Sequence, residues 1–145
     1  MNVDFVALIA EARRSRKFDG LMAAIPYAGF LGLRAEFTPL GLLCTLRFSE
    51  RIIGNPVLPA IHGGVTGAFL ENTALVVLLA EAETPALPKT INITIEYLRS
   101  GRPVDTYAAG VITRHGRRVA NVRVDAWQED RSHPIAVASA HFLLA

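Results

Sequence analysis

The chain has 145 residues, of which 51% are hydrophobic, and carries a net charge of only +2. That length fits one domain with one core, and that hydrophobicity excludes an intrinsically disordered chain. So small a net charge argues against a nucleic-acid binder, and a lone cysteine, Cys44, excludes an intramolecular disulfide.

Residues 3 to 17 set Val3, Phe5, Val6, Ile9, Ala10 and Ala12 at helical spacing. Arg13, Arg14, Arg16 and Lys17 follow at the C-terminal end, where cations suit the helix dipole. The apolar part is short, charged and led by an acid, so a packed helix is expected rather than a signal peptide. "FDGLMAAIPYAGF" reads as a short helix or an irregular packed segment. Residues 1–29 are therefore expected to be a helical N-terminal part of a single 1–145 domain. Leu31 to Phe37 and Leu42 to Phe48 read as two strands joined by the turn-prone "TPLG". Cys44 alternates with Leu46 and Phe48, which makes it a core position rather than a nucleophile.

Residues 51–61 form an irregular, Pro- and Gly-containing approach to an apolar run over about residues 64–83. That run is helix-length, rich in Ala and Leu, and expected to stop before Pro85 and Pro88. No uncharged apolar stretch reaches the roughly 18 residues of a membrane span, so no membrane partner is expected and a cytoplasmic setting is the default. Everything downstream reads as strand. In "KTINITIEYLRS", Ile91, Ile93, Ile95 and Tyr97 alternate with Thr90, Asn92, Thr94 and Glu96. Two further strands flank a tight His115-Gly116 turn, and a last one closes the chain. The expected architecture is α+β: an antiparallel meander wrapped on one long helix that is apolar on all sides.

Within that helix stand Glu71 and Asn72. The helical neighbours of Glu71 are Gly67, Ala68, Ala74 and Leu75, none able to pair with a charge. A carboxylate buried without a partner would have a raised pKa and make a candidate base or nucleophile. The alternative is a solvent-facing stripe with Asn72 and Glu81. Gly63 and Gly64 stand where the helix begins, and free N–H groups at a helix N-terminus suit a carbonyl oxygen that gains negative charge. The alternative there is a plain glycine turn, with His62 holding the loop. Four scattered histidines and one cysteine suggest no metal site. Gly63 and Glu71 are eight residues apart, roughly 12 Å along one helix axis. If they share a site, the acid must come from a second subunit, and a two-fold dimer then carries two equal shared sites.

"HGGVTGAFLEN", with its acid nine residues after His62, resembles the signature of hotdog-fold acyl-CoA thioesterases, particularly the phenylacetyl-CoA (PaaI-like) branch. The strand "TINITIEYLRSGRP" also resembles the family's first strand after the helix. The resemblance runs from about residue 30 to the end and implies a hotdog fold: an antiparallel sheet around one long central helix. It implies that Gly63 polarises the thioester carbonyl and that Glu71 of the other subunit is base or nucleophile. Asn55 would position water or thioester, Thr90 would lie near the attacking water, and His62 would support the loop. Gly64, Asn72, Arg99 and Arg117 are the candidate substrate contacts; the late arginines suit the phosphates of CoA, and the alternative is that they are solvated strand ends and loops. The expected partners are an acyl-CoA and a second copy, with a dimer of dimers also fitting the family; no cofactor is implied. Two positions depart from that branch. Glu71 stands where Asp is more usual, and Asn55 lies seven residues before His62 where six is more usual. Two other functions compete: a non-catalytic acyl-CoA-binding module, and a hotdog dehydratase or hydratase, whose catalytic histidine has no counterpart in "SERIIG".

Overall fold

The computed structural model describes residues 3–82 and 87–144. Three short helices come first: α1 (Phe5–Ser15), α2 (Asp19–Ala24) and α3 (Pro26–Leu31). Strands β1 (Leu33–Thr38) and β2 (Gly41–Leu46) follow, then a small hairpin of β3 (Ile53–Asn55) and β4 (Ala60–Ile61). The long helix α4 (Gly63–Glu81) leads to β5 (Lys89–Tyr97), β6 (Thr106–His115), β7 (Val119–Trp127) and β8 (Ala136–Leu143). This is the hotdog fold, one antiparallel sheet curled around one helix.

Local chemistry sets the boundaries. Asp4 caps α1 by accepting the Ala7 N–H, and α1 ends at Arg16 in left-handed conformation with φ 58°. Pro26 opens α3, and Gly32 closes it with φ 70°, so Leu31 belongs to that helix and not to the expected strand. At "TPLG" the Thr38 hydroxyl donates to Gly41 O, and Gly41 takes φ 113°. The long helix α4 stops before Pro85 as expected, at Glu81, with Ala82 already extended at φ −104° and ψ 145°.

The strand order is β1-β2-β6-β7-β8-β5. Only β6, β7 and β8 form a meander. The strand after the helix does not pair with its successor β6, as expected of consecutive strands; it crosses the sheet and pairs with β8, register Tyr97 to Ala136. Its outer edge is unpaired among the described residues. The approach to α4 is also more ordered than expected, with the β3–β4 hairpin in it.

The concave face is lined by small residues: Ala108, Ala120, Ala126, Ala136, Ala138 and Ala140 are all buried. Short side chains let a helix sit close to the sheet. At Gly110 an added Cβ would come within 3.2 Å of Val77 in α4. Phe69, Leu70, Ala74, Val76 and Leu78 of α4 are fully covered. The helix has the length and apolarity of a membrane span, but 56% of that window is buried in the fold. The sheet takes the place of lipid.

The N-terminal helices close the other side. Phe18, Leu21 and Met22 are buried, α2 packs on β1, and α1 packs on α4. The Arg13 guanidinium reaches the last turn of α4 and donates to Leu79 O at 2.6 Å and to Ala82 O. It supplies charge-assisted donors where helix carbonyls lack partners and the dipole is negative. Cys44 is 2% exposed, as the alternation in β2 implies.

Two outcomes are expected. Arg13→Gln should lower stability by about 1.5–3 kcal/mol, measured by urea denaturation. Burial pushes the Cys44 thiol from 9.0 up to about 12. Above pH 9 the unfolded chain releases a proton that the folded chain keeps, so this thiol's contribution to stability should fall as pH rises from 9 to about 12. A Cys44→Ala variant should show a flatter stability profile in that window.

Candidate functional site

The N-terminus of α4 is built as a clamp. His62 is the N-cap residue, with φ −59° and ψ 129°, and its Nδ1 accepts the Gly64 N–H at 2.9 Å. That bond puts the ring proton of neutral His62 on Nε2. The His62 backbone N–H donates to Ile52 O at 2.8 Å. Gly54 lies beneath it, where a Cβ would come within 2.6 Å of the His62 Cα. From β5, the Tyr97 hydroxyl donates to Gly63 O at 2.7 Å. The peptide between Gly63 and Gly64 is thus held at both polar ends, its N–H by His62 and its C=O by Tyr97. What remains is the Gly63 N–H, which has no acceptor among the described residues. It opens on a cavity of about 370 Å³ walled by Ile61, Thr66, Tyr97, Arg99 and Ile135.

Glu71 lies two turns further along the helix and does not line that cavity. It is half-buried, and its Oε1 accepts the Thr90 hydroxyl at 3.2 Å. The expectation of a buried carboxylate without a partner is therefore corrected: Thr90 is the partner. Simple alternation puts Thr90 on the outer face with Asn92, Thr94 and Glu96. The β5–β8 register shifts between Thr90 and Asn92, so a bulge at Ile91 turns Thr90 inward. Bulges commonly re-aim side chains in this way. Ile93, Ile95 and Tyr97 stay on the inner side, opposite Ala140, Ala138 and Ala136.

The structure brings together His62, Gly63, Gly64 and Arg99 in one group, and Glu71 with Thr90 in another. Asn72 donates from its amide to Ala68 O of its own helix at 2.9 Å. Asn55 joins neither group: its Oδ1 accepts the N–H groups of Val57 and Leu58 at 3.0 and 3.2 Å and closes the β3–β4 loop. Arg99 donates to Pro134 O at 2.8 Å beside the Gly63 cavity. Arg117 is exposed in the β6–β7 turn; register runs from Val119 through Leu143 to Lys89, so it shares the sheet end where β5 begins, near Thr90. No group of His, Cys, Asp and Glu with metal-holding geometry occurs among the described residues. Sequence reasoning missed Tyr97 as a clamp, because it sits at an apolar position of the alternation. Its hydroxyl, which needs a partner when packed on a helix, was the available signal.

One face of α4 stays half-covered: Ala68, Glu71, Asn72 and Leu75 fall at helical spacing along it. Beside it the apolar side chains of β5 are open, with Ile91 53% and Tyr97 55% exposed.

The family model described as the thioesterase superfamily matches residues 58–135. A Chromobacterium violaceum protein of known structure is 37% identical, with a TM-score of 0.78 over 94% of this chain and 96% of its own. A phenylacetic acid degradation-related protein from Ralstonia eutropha is 25% identical, with a TM-score of 0.73 over 87% of this chain and 98% of its own. A Bacillus halodurans protein solved with CoA shares the fold at 15% identity, with a TM-score of 0.73 over 100% of this chain and 95% of its own. No curated protein matches the chain.

The clamp is directly testable. At Gly64 a Cβ would lie 2.9 Å from the His62 ring atoms Cε1 and Nδ1. Gly64→Ala should displace the imidazole and cost about 1 kcal/mol of helix capping, read as a lower thermal midpoint.

Proposed function

Because the chain belongs to the thioesterase superfamily, we propose that it hydrolyses an acyl-CoA thioester to the free acid and CoA in sites shared by two subunits. The observation that carries the reading is the pairing of an unengaged Gly63 N–H at a helix N-terminus with a carboxylate held eight residues away. Roughly 12 Å of helix separates them, too far for one thioester group to touch both. A second copy related by a two-fold axis, its α4 antiparallel to the first, brings Gly63 of one subunit opposite Glu71 of the other. Such a copy would cover the half-covered face of α4 and the open edge of β5. A long unpaired edge strand is a ready template for pairing. The same rotation brings Arg99 of one subunit and the Lys89 and Arg117 end of the other to one mouth. That mouth then has cations for the phosphates of CoA.

The chemistry follows from these positions. The Gly63 N–H and the positive end of α4 hold the thioester oxygen. Glu71, with Thr90 beside it, takes a proton from water as the water oxygen bonds to the carbonyl carbon. The tetrahedral oxyanion collapses, the C–S bond breaks, and the CoA thiolate leaves and is protonated. The products are the acid and free CoA. The fold holds CoA in the Bacillus halodurans protein, which supports this class of substrate. The acyl group is aromatic or fatty, and the cytoplasm is the proposed setting.

Free-thiol release across a panel of acyl-CoAs tests the activity, and Glu71→Gln should lower kcat by about 10²–10⁴. Tight acyl-CoA binding with no turnover would favour a binding module instead. The shared site has its own test. Gly63→Pro removes the N–H while suiting the first helical position. Neither Gly63→Pro nor Glu71→Gln homodimers should turn over substrate, whereas heterodimers of the two should be active, since one of their sites carries no lesion. Absence of complementation in assembled heterodimers would sink the two-subunit arrangement.

A further inference from the structure

The buried polar residues among those described are three threonines, Thr66, Thr73 and Thr106. Thr73 donates its hydroxyl to Phe69 O at 2.8 Å. Thr106 accepts from the Gln128 amide at 3.2 Å. Thr66 is 5% exposed, yet its hydroxyl has no hydrogen-bond partner among the described residues. Native folds rarely leave a buried hydroxyl so. No fully sealed side-chain polar atom lacks a partner, so the Thr66 oxygen meets open volume. The volume it lines is the 370 Å³ cavity at Gly63.

Thr66 stands one turn beyond Gly63 on the same face of α4, and helix Cβ atoms tilt toward the N-terminus. Its hydroxyl and the Gly63 N–H therefore serve one end of the cavity. Of the donors next to Gly63, the Gly64 N–H is engaged by His62 and the Tyr97 hydroxyl by Gly63 O. We propose that Thr66 is a catalytic residue, its hydroxyl the second donor to the thioester carbonyl oxygen beside the Gly63 N–H. This rests on the hydrolase reading above. As the carbonyl carbon becomes tetrahedral, negative charge gathers on that oxygen, and two donors hold it better than one.

Thr66→Val keeps the shape and removes the hydroxyl; Thr66→Ser keeps the hydroxyl. The valine variant should lose on the order of 10² in kcat with little change in KM, and serine should recover most of it. The thermal midpoint of both should stay at the wild-type value, because the hydroxyl bonds nothing within the fold. A valine variant with wild-type kcat would overturn the proposal. If the wild type releases no thiol from any acyl-CoA, the hydrolase reading fails, and binding decides the role of Thr66. Wild type should then bind phenylacetyl-CoA more tightly than its thioether analogue, which lacks the carbonyl oxygen, and Thr66→Val should lose that preference. Equal discrimination by both proteins would sink the assignment.

Discussion

A helix that is apolar on every side has to be covered on every side, and one curled sheet cannot do it alone. In this chain β2, β6, β7 and β8 cover one face of α4, and α1 covers its C-terminal end through Arg13. The stripe of Ala68, Glu71, Asn72 and Leu75 is what remains. It is also the face that carries the carboxylate. Burial of the core and exposure of Glu71 are thus set by the same geometry. The alanine-lined concavity lets the helix lie deep, and the residues on its far side are left at the rim.

The start of α4 solves a separate problem. Helix N-termini present several N–H groups that all need acceptors, and an anion site needs one of them left available. Here the selection is made by side chains. His62 takes the Gly64 N–H, and Tyr97 fixes the carbonyl on the other side of that peptide. Gly63 and Gly67 have no side chains, which lets β5 come close enough for Tyr97 and Ile95 to touch the helix. A strand at the edge of the sheet thereby positions both parts of the proposed site, Tyr97 at Gly63 and Thr90 at Glu71.

Much of this was legible in the residues. The long apolar helix, the strand-rich C-terminal half, the buried Cys44 and the two-turn separation of Gly63 from Glu71 all follow from periodicity and residue spacing. Other features were not legible, for physical reasons. The position of β5 depends on which strand it meets across the sheet, a long-range choice that its own alternation does not encode. The approach loop hid the use of Asn55, because an Asn side chain satisfies nearby backbone N–H groups as readily as it faces a ligand. Thr66 looked like one more residue of an apolar run; only the contrast with Thr73, which bonds its own helix, singles it out.

The bulge at Ile91 has a consequence for how this strand can vary. Residues on either side of it follow opposite phases, so β5 is two short strands sharing one hydrogen-bonded ladder. Lys89 and Thr90 are read in one phase, and Asn92 through Tyr97 in the other. Substitutions that tune the open edge therefore leave the hydroxyl beside Glu71 in place. Loss of the residue at 91 would join Thr90 directly to Asn92, and the pairs Thr90 with Phe142 and Asn92 with His141 would follow one another in plain alternation. The Thr90 hydroxyl would stay on the inner face, whereas drawing residue 91 into a regular ladder would swing it to the convex surface.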